Sequence, residues 1–202
     1  MIVGLGTGST AKVVVEEMGR RHEQGLRFIG VPTSEETAAQ ARALGISLAT
    51  VVEHPSLDLA IDGADEIVEG PLHLIKGRGG ALLREKLVEA AAKRLVIVAD
   101  DSKLVPALGT TMPVPVEVVR FGWQSTARRL EALGCNTQLR PNFTTDEGNF
   151  ILDCAFGRID DPVRLESQLD ATVGVIEHGL FLGMATQAFI ASAQGVRTLF
   201  VT

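Results

Sequence analysis

Cysteine is scarce in this chain: Cys135 and Cys154 are the only two. They show no paired metal-ligand spacing, and two thiols in 202 residues are not a disulfide framework, so a reducing cytoplasm fits the sequence best. Positive charge is also short, with 19 Lys and Arg against 25 Asp and Glu and a net charge of −6. The isoelectric point near 5.3 denies the chain the broad positive field that nucleic acid or an anionic membrane requires. Neither partner is expected, and an anionic ligand must be held by a few local cations. No apolar run approaches a membrane span. Residues 1 to 10 read as a short strand entering a glycine turn, without the basic start and long apolar stretch of a signal peptide. Internal repeats and low-complexity tracts are missing too. The four histidines (His22, His54, His73 and His178) are scattered, with no serine or cysteine nucleophile signature beside them. They read as surface or structural residues. Asn142-Phe143-Thr144 matches a glycosylation acceptor, a coincidence in a cytoplasmic protein.

What the chain does have is a hydrophobic fraction of 46%, a charged fraction of 22% and 21 glycines, a globular composition long enough for one core, or for one core and a small added domain. Many glycines follow apolar runs. The first half repeats a β-branched run, a Gly, Ser, Thr or Asp turn and a helical pattern, as βα units on a parallel sheet do. Strands are expected at Ile2 to Gly6, Phe28 to Pro32, Leu57 to Ile61 and Leu95 to Ala99, with a weaker run at Ile46 to Val52. Helices are expected at about 10 to 22, 34 to 44 and 80 to 93.

The grammar changes at Met112-Pro113-Val114-Pro115. Beyond it, strands at 116 to 119, 137 to 140, 149 to 154 and 174 to 179 and helices at 124 to 133 and 162 to 169 give a βαββαβ order, the ferredoxin-like or split-βαβ arrangement. Residues 184 to 201 are expected to return to the first sheet. The fold class is therefore α/β: a doubly wound, mostly parallel, Rossmann-like domain (1–112 with 187–202) and a smaller α+β domain (113–186).

Open parallel sheets bind ligands beyond the carboxyl ends of their strands. The first strand delivers Gly6-Thr7-Gly8-Ser9-Thr10, the second Thr33-Ser34, the third Asp62-Gly63-Ala64-Asp65-Glu66 and the fourth Asp100-Asp101-Ser102-Lys103. Lys76-Gly77-Arg78-Gly79-Gly80 lies between the last two, ahead of a helix. The first glycine turn suits a phosphate, since exposed N–H groups and a helix start both favour an anion. It also meets the relaxed dinucleotide fingerprint, although the second strand lacks the acidic ribose ligand of that fold, and it could serve only to pack helix on strand. Asp62 and Asp65 are like charges that need an offset: a metal ion, a cation such as Lys76, or the hydroxyls of a polyol. A plain solvated turn with Asp65 capping a helix is the alternative, and Glu66 and His73 make a magnesium site conceivable without any recognised metal spacing. Lys76 suits an oxyanion, Arg78 or Lys103 a phosphate. Glu85 falls with Lys86 and Glu89 on the polar side of its helix, away from Leu83, Leu87 and Ala91, so periodicity alone reads it as facing solvent. A general base in a sugar site would be polar too.

Taken in order and spacing, Gly-Leu-Gly-Thr-Gly-Ser-Thr at 4 to 10, Asp-Gly-Ala-Asp-Glu at 62 to 66, Ile-Lys-Gly at 75 to 77 and Gly-Ala-Leu-Leu-Arg-Glu-Lys at 80 to 86 resemble the ribose-5-phosphate isomerase A family. Ala99 to Lys103, Pro113 to Val118 and Gly179-Leu180-Phe181 extend the resemblance over essentially the whole chain. It implies an aldose–ketose isomerase interconverting ribose 5-phosphate and ribulose 5-phosphate in the pentose phosphate pathway, with no metal and no cofactor. The resemblance implies Glu85 as proton-transferring base, Asp62 and Asp65 as sugar-contacting acids and Lys76 beside the reacting oxygens. Substrate-binding groups are then Thr7, Gly8, Ser9, Thr10, Asp62, Gly63, Ala64, Asp65, Lys76, Gly77, Arg78, Gly79 and Lys103. A cytoplasmic homodimer or homotetramer is expected. The family usually places a helix with a basic residue before the first strand, whereas this sequence starts within that strand, and Arg78 stands where relatives often carry an uncharged residue. Competing functions are a non-catalytic sugar-phosphate sensor, a nicotinamide-dependent oxidoreductase, and a lactonase or acyl-transferase, for which no nucleophile is evident.

Overall fold

The structure is a computed structural model describing residues 1–202. In chain order it contains β1 (Ile2–Leu5), α1 (Ser9–Glu23), β2 (Ile29–Pro32), α2 (Glu35–Ala43), β3 (Leu59–Asp62), β4 (Glu66–Val68), β5 (His73–Ile75), α3 (Leu82–Ala90), β6 (Leu95–Asp100) and β7 (Leu104–Val105). The remainder runs β8 (Val114–Val118), α4 (Trp123–Glu131), β9 (Asn136–Leu139), β10 (Phe150–Ala155), α5 (Pro162–Asp170), β11 (Val175–His178), β12 (Leu180–Phe181), β13 (Ala185–Ser192) and β14 (Gly195–Phe200). Two compact units result: Met1–Ala64 with Arg84–Asp101 and Met184–Thr202, and Asp65–Leu83 with Ser102–Gly183.

The first unit is built on a six-stranded sheet of order β14-β13-β6-β3-β1-β2. Every pairing is parallel except the β13–β14 hairpin at the edge. Ala11, Val15 and Gly19 recur at helical spacing and bury one face of α1. Beyond the helix Gly25 takes φ 105° and the Leu26 N–H closes onto the Arg21 carbonyl at 3.0 Å, a Schellman-type stop. Helix α2 begins on Ser34, whose hydroxyl accepts from the Thr37 N–H at 3.1 Å. Val3, Leu5, Val15, Phe28, Ala41 and Ile46 form one core cluster. Val31, Leu57 and Val88 form another. The weak run at Ile46 to Val52 forms only a bridge, Gly30 to Leu48.

In this sheet the chain reverses direction of growth at β1, which lies between β2 and β3. A doubly wound sheet opens its ligand crevice at such a switch point, beyond the carboxyl ends of the strands. Those ends are Gly6 after β1 and Gly63 after β3.

The second unit holds two four-stranded sheets. One has order β11-β8-β10-β9, all antiparallel, which is the split-βαβ arrangement with α4 and α5 as crossovers. The other, β12-β5-β4-β7, is made of strands two or three residues long. Ile75, Leu108, Val116, Leu152, Leu169 and Leu180 belong to one apolar cluster of this unit. Residues 65–83 and 102–112, assigned to the sheet domain by sequence, group here because β4, β5 and β7 pair with each other and with β12. Residues 184–186 go the other way, since β13 pairs with β6.

Candidate functional site

In the first unit the turn after β1 is held by hydroxyls. Thr7 Oγ1 lies 2.7 Å from Thr33 Oγ1, 2.8 Å from Ser34 Oγ and 3.2 Å from Thr37 Oγ1. Thr37 Oγ1 also donates to the Gly6 carbonyl at 2.9 Å, and Thr33 Oγ1 to the Leu5 carbonyl at 3.1 Å. Asp62, at the end of β3, is 1% exposed and accepts from the Thr7 N–H at 3.2 Å and the Gly63 N–H at 2.7 Å through the same Oδ1. A Cβ on Gly6 would overlap the Asp62 carboxylate, so only glycine lets the acid lie against the turn. Gly8 and Ser9 are exposed, Thr7 and Thr10 half-buried. Gly8 begins α1 at φ 105° with no side-chain cap bond, which leaves the first-turn N–H groups to solvent or a ligand.

Helix α3 departs from the amphipathic reading. Glu85 is 2% exposed and Glu89 3%, while Leu87 is 57% exposed. The inward positions are Leu82, Glu85, Val88 and Glu89, spaced by three, three and one, so the helix turns a stripe containing two carboxyls inward. A carboxylate costs several kcal/mol to bury (~2–7 even for a neutral polar group without a partner), and helices do not carry one inside without a task or a partner. Arg84 beside it pairs with Glu35 of α2 at 2.9 Å.

In the second unit Asp65, Lys76, Arg78 and Lys103 form one electrostatic cluster. Burial raises the Asp65 carboxyl above its usual range, opposed by the Arg78 N–H bond and by the charges of Lys76, Lys103 and Arg78. That N–H donates to Asp65 Oδ2 at 3.0 Å. Lys76 is 2% exposed. Its N–H is fixed on the Gly179 carbonyl at 2.9 Å and its Nζ lies 5.3 Å from the centroid of the Phe181 ring, a cation–π contact. Gly77 is buried, Arg78 and Gly79 exposed, and Lys103 half-buried. Gly80 has φ 83°, and any Cβ there would overlap the Phe143 ring.

Glu66 does not join the acids before it. Its carboxylate accepts from the N–H groups of Gly109, Thr111 and Met112 at 2.6, 2.5 and 2.8 Å, and from the Thr111 hydroxyl at 2.7 Å. It anchors that loop. Asp170, Glu177 and His178 are the one constellation of this unit with metal-ligand spacing, but His178 is 1% exposed and its nitrogens already serve Asp170 at 3.0 Å and the Leu180 N–H at 3.2 Å. His178 is thus structural, not superficial. Sequence reasoning missed Arg140, Asp153 and Phe143 as neighbours of the Gly77–Gly80 loop; Arg140 donates to the carbonyls of Gly77 and Arg78, and no local signal marks such a long-range bond to main chain.

Comparison with known proteins shows the family and the fold. The family model for ribose 5-phosphate isomerase A (phosphoriboisomerase A) matches residues 29–195. The ribose-5-phosphate isomerase A of Synechococcus sp. (strain JA-3-3Ab) is 62% identical over 205 residues, 98% of this chain and 89% of that protein. The ribose 5-phosphate isomerase A structure from Methanocaldococcus jannaschii superposes with a TM-score of 0.94 at 39% identity, covering 99% of this chain and 91% of that one. A D-ribose-5-phosphate isomerase solved in complex with phospho-erythronic acid gives 0.96 at 38% identity, covering 99% and 90%. The chain, an α/β protein with a mostly parallel main sheet, belongs to the ribose 5-phosphate isomerase A family.

Proposed function

We propose that the chain interconverts D-ribose 5-phosphate and D-ribulose 5-phosphate by proton transfer through an enediolate, with Glu85 as the base. The observation that carries this reading is the burial of Glu85 against the amphipathic pattern of its helix. Aldose to ketose conversion moves a proton from C2 to C1 and a second between the oxygens, so it needs one positioned base and a means of holding negative charge on oxygen. Glu85 takes the C2 proton and returns it to C1. Lys76, buried and fixed at its main chain, offsets the enediolate charge. Asp62 and Asp65 contact the sugar hydroxyls and assist ring opening, and the raised Asp65 carboxyl suits proton exchange with a hydroxyl.

The phosphate is assigned to the hydroxyl-lined turn of Thr7 to Thr10 at the start of α1; Lys103 and Arg78 are further substrate-binding cations, and Gly63, Ala64, Gly77 and Gly79 offer main chain to the substrate. The bound phospho-erythronic acid of the structural relative joins a phosphate, a polyol and a carboxylate, the chemical classes these groups are suited to meet. The reaction proceeds without a metal, in the pentose phosphate pathway of the cytoplasm, in a homodimer or homotetramer. No helix is long and apolar enough to cross a membrane.

The test is conversion of ribose 5-phosphate in excess EDTA by the native chain and by Glu85→Gln. The native rate should survive the chelator, and the variant should lose about 10²- to 10⁴-fold in kcat. A fully active variant removes Glu85 as base, and EDTA-sensitive native activity removes the metal-free route.

A further inference from the structure

We propose that Arg140 is a positioning residue for this reaction, setting the direction of the main-chain groups that the Gly77–Gly80 loop presents to the sugar phosphate; this rests on the reading of that loop as substrate-binding. The guanidinium is used on two sides. One side forms a fork with Asp153, Nε to Oδ2 at 3.1 Å and Nη2 to Oδ1 at 2.6 Å, with the two side chains 16% and 24% exposed. The other nitrogen, Nη1, donates to two consecutive carbonyls, Gly77 at 3.2 Å and Arg78 at 3.0 Å.

Those two bonds help to fix the orientation of two peptide planes. The Gly77–Arg78 peptide is gripped at both ends, its carbonyl by Arg140 and by the Gly80 N–H at 2.9 Å, and its N–H by Asp65 Oδ2 at 3.0 Å. In the next peptide the Arg78 carbonyl points at Arg140, and a planar trans peptide then turns the Gly79 N–H the opposite way. A cation on the carbonyl also polarises the peptide and strengthens that N–H as a donor. Gly79 is exposed, so a ligand can approach this part of the loop. Lysine cannot reproduce this, because an ammonium lacks the planar fork that serves a carboxylate and two carbonyls together.

The surrounding chain holds Arg140 to the task. Its own N–H continues the β9–β10 ladder onto the Ile151 carbonyl at 2.9 Å. Asn142 turns left-handed at φ 52°, and Phe143 comes back under the guanidinium, 5.4 Å from Cζ to the ring centroid. The same ring occupies the space beside Gly80 that a side chain would need. Arg140 and Phe143 therefore fix the loop at its two ends.

The experiment compares Arg140→Lys and Arg140→Ala with the native chain and Glu85→Gln for kcat, KM and melting temperature. Arg140→Lys, which keeps the charge and can still pair with Asp153, should melt near the native temperature and lose about 10- to 100-fold in kcat with KM changed less than about threefold, as misplaced groups rather than lost binding would give. Millimolar guanidinium should restore part of the Arg140→Ala rate and leave Glu85→Gln unchanged. Native kcat in Arg140→Lys beside an inactive Glu85→Gln would overturn the positioning role alone. Activity lost only in proportion to folded protein, without rescue, would overturn it as well. An active Glu85→Gln with impaired Arg140 variants would instead remove the base assignment and leave the role of Arg140 standing.

Discussion

Two glycine loops in this molecule look alike as sequence and are built in different ways. The Gly6–Thr10 turn of the first unit is held chiefly by uncharged hydroxyls, with Thr7, Thr33, Ser34 and Thr37 bonded together, and by one acid, Asp62, on the Thr7 N–H. The Gly77–Gly80 loop of the second unit is held by charges, Asp65 on an N–H and Arg140 on two carbonyls. A neutral network can lose one member at a cost near that of a single hydrogen bond, about 1 kcal/mol. A charged, half-buried one leaves an uncompensated ion when a partner goes, at about 3–5 kcal/mol if the pair is buried. The first design suits a tolerant anion cradle, and the second suits groups whose direction matters to the chemistry.

That contrast is most sharply tested by removing the cation from the charge-built side. Lys76→Met, which keeps the side-chain length over Phe181, should lower kcat by about 10²- to 10³-fold, the scale of losing one oxyanion-stabilising group. On the hydroxyl-built side, Thr37→Val removes the bonds to Gly6 and Thr7 and should cost about 1 kcal/mol in stability with less than about a tenfold rise in KM. Steady-state kinetics and denaturant melts on both variants decide the matter, and equal losses in kcat would erase the distinction. Arg78→Ala should raise KM for the phosphosugar by a few-fold and leave kcat alone, since the side chain is exposed while the loop is fixed through its main chain. An unchanged KM removes Arg78 from phosphate binding.

The smallest expected effect concerns Glu117 of β8, 1% exposed. Its Oε1 accepts from the Thr145 hydroxyl and the Asn149 amide at 2.9 Å each. Burial raises its carboxyl above the ordinary range, helped by Glu147 and Glu177. A raised acid holds its proton longer in the folded state than in the unfolded one. Its contribution is therefore greatest at acid pH and declines as pH rises from the ordinary glutamate range through the raised folded value. Melting temperature against pH should show this decline in the native chain and a flatter curve in Glu117→Gln; parallel curves would mean that Glu117 ionises normally.

In the first unit β1, β2, β3 and β6 were legible because each is an apolar run followed by a glycine, hydroxyl or acidic turn, whereas β13 and β14 were legible only as a closing segment returning to the sheet. The split-βαβ order was legible from the proline cluster at Met112 to Pro115 and the Asp146 to Asn149 turn, which set off its alternating strands and helices. Strands β4, β5 and β7 were not, because two or three residues carry no period and Glu66 and His73 stand at their ends. Helix α3 misled by its own regularity: Leu87 looked internal and Glu85 external, and tertiary context reversed both. Family resemblance pointed to Glu85 where periodicity could not. Arg140 was invisible because its partners are main-chain carbonyls 63 and 62 residues away, and a carbonyl has no sequence signature.

The measurement that bears most directly on the account is conversion of ribose 5-phosphate in deuterium oxide with EDTA, reading deuterium at C1 of the ribulose 5-phosphate formed by the native chain and by Glu85→Gln. A carboxylate that carries the proton exchanges it with solvent in some turnovers, so the native product should contain deuterium at C1, and the variant should form almost no product. Product free of deuterium, made at the same rate by both chains, would contradict proton transfer by Glu85 and point to hydride movement between C2 and C1.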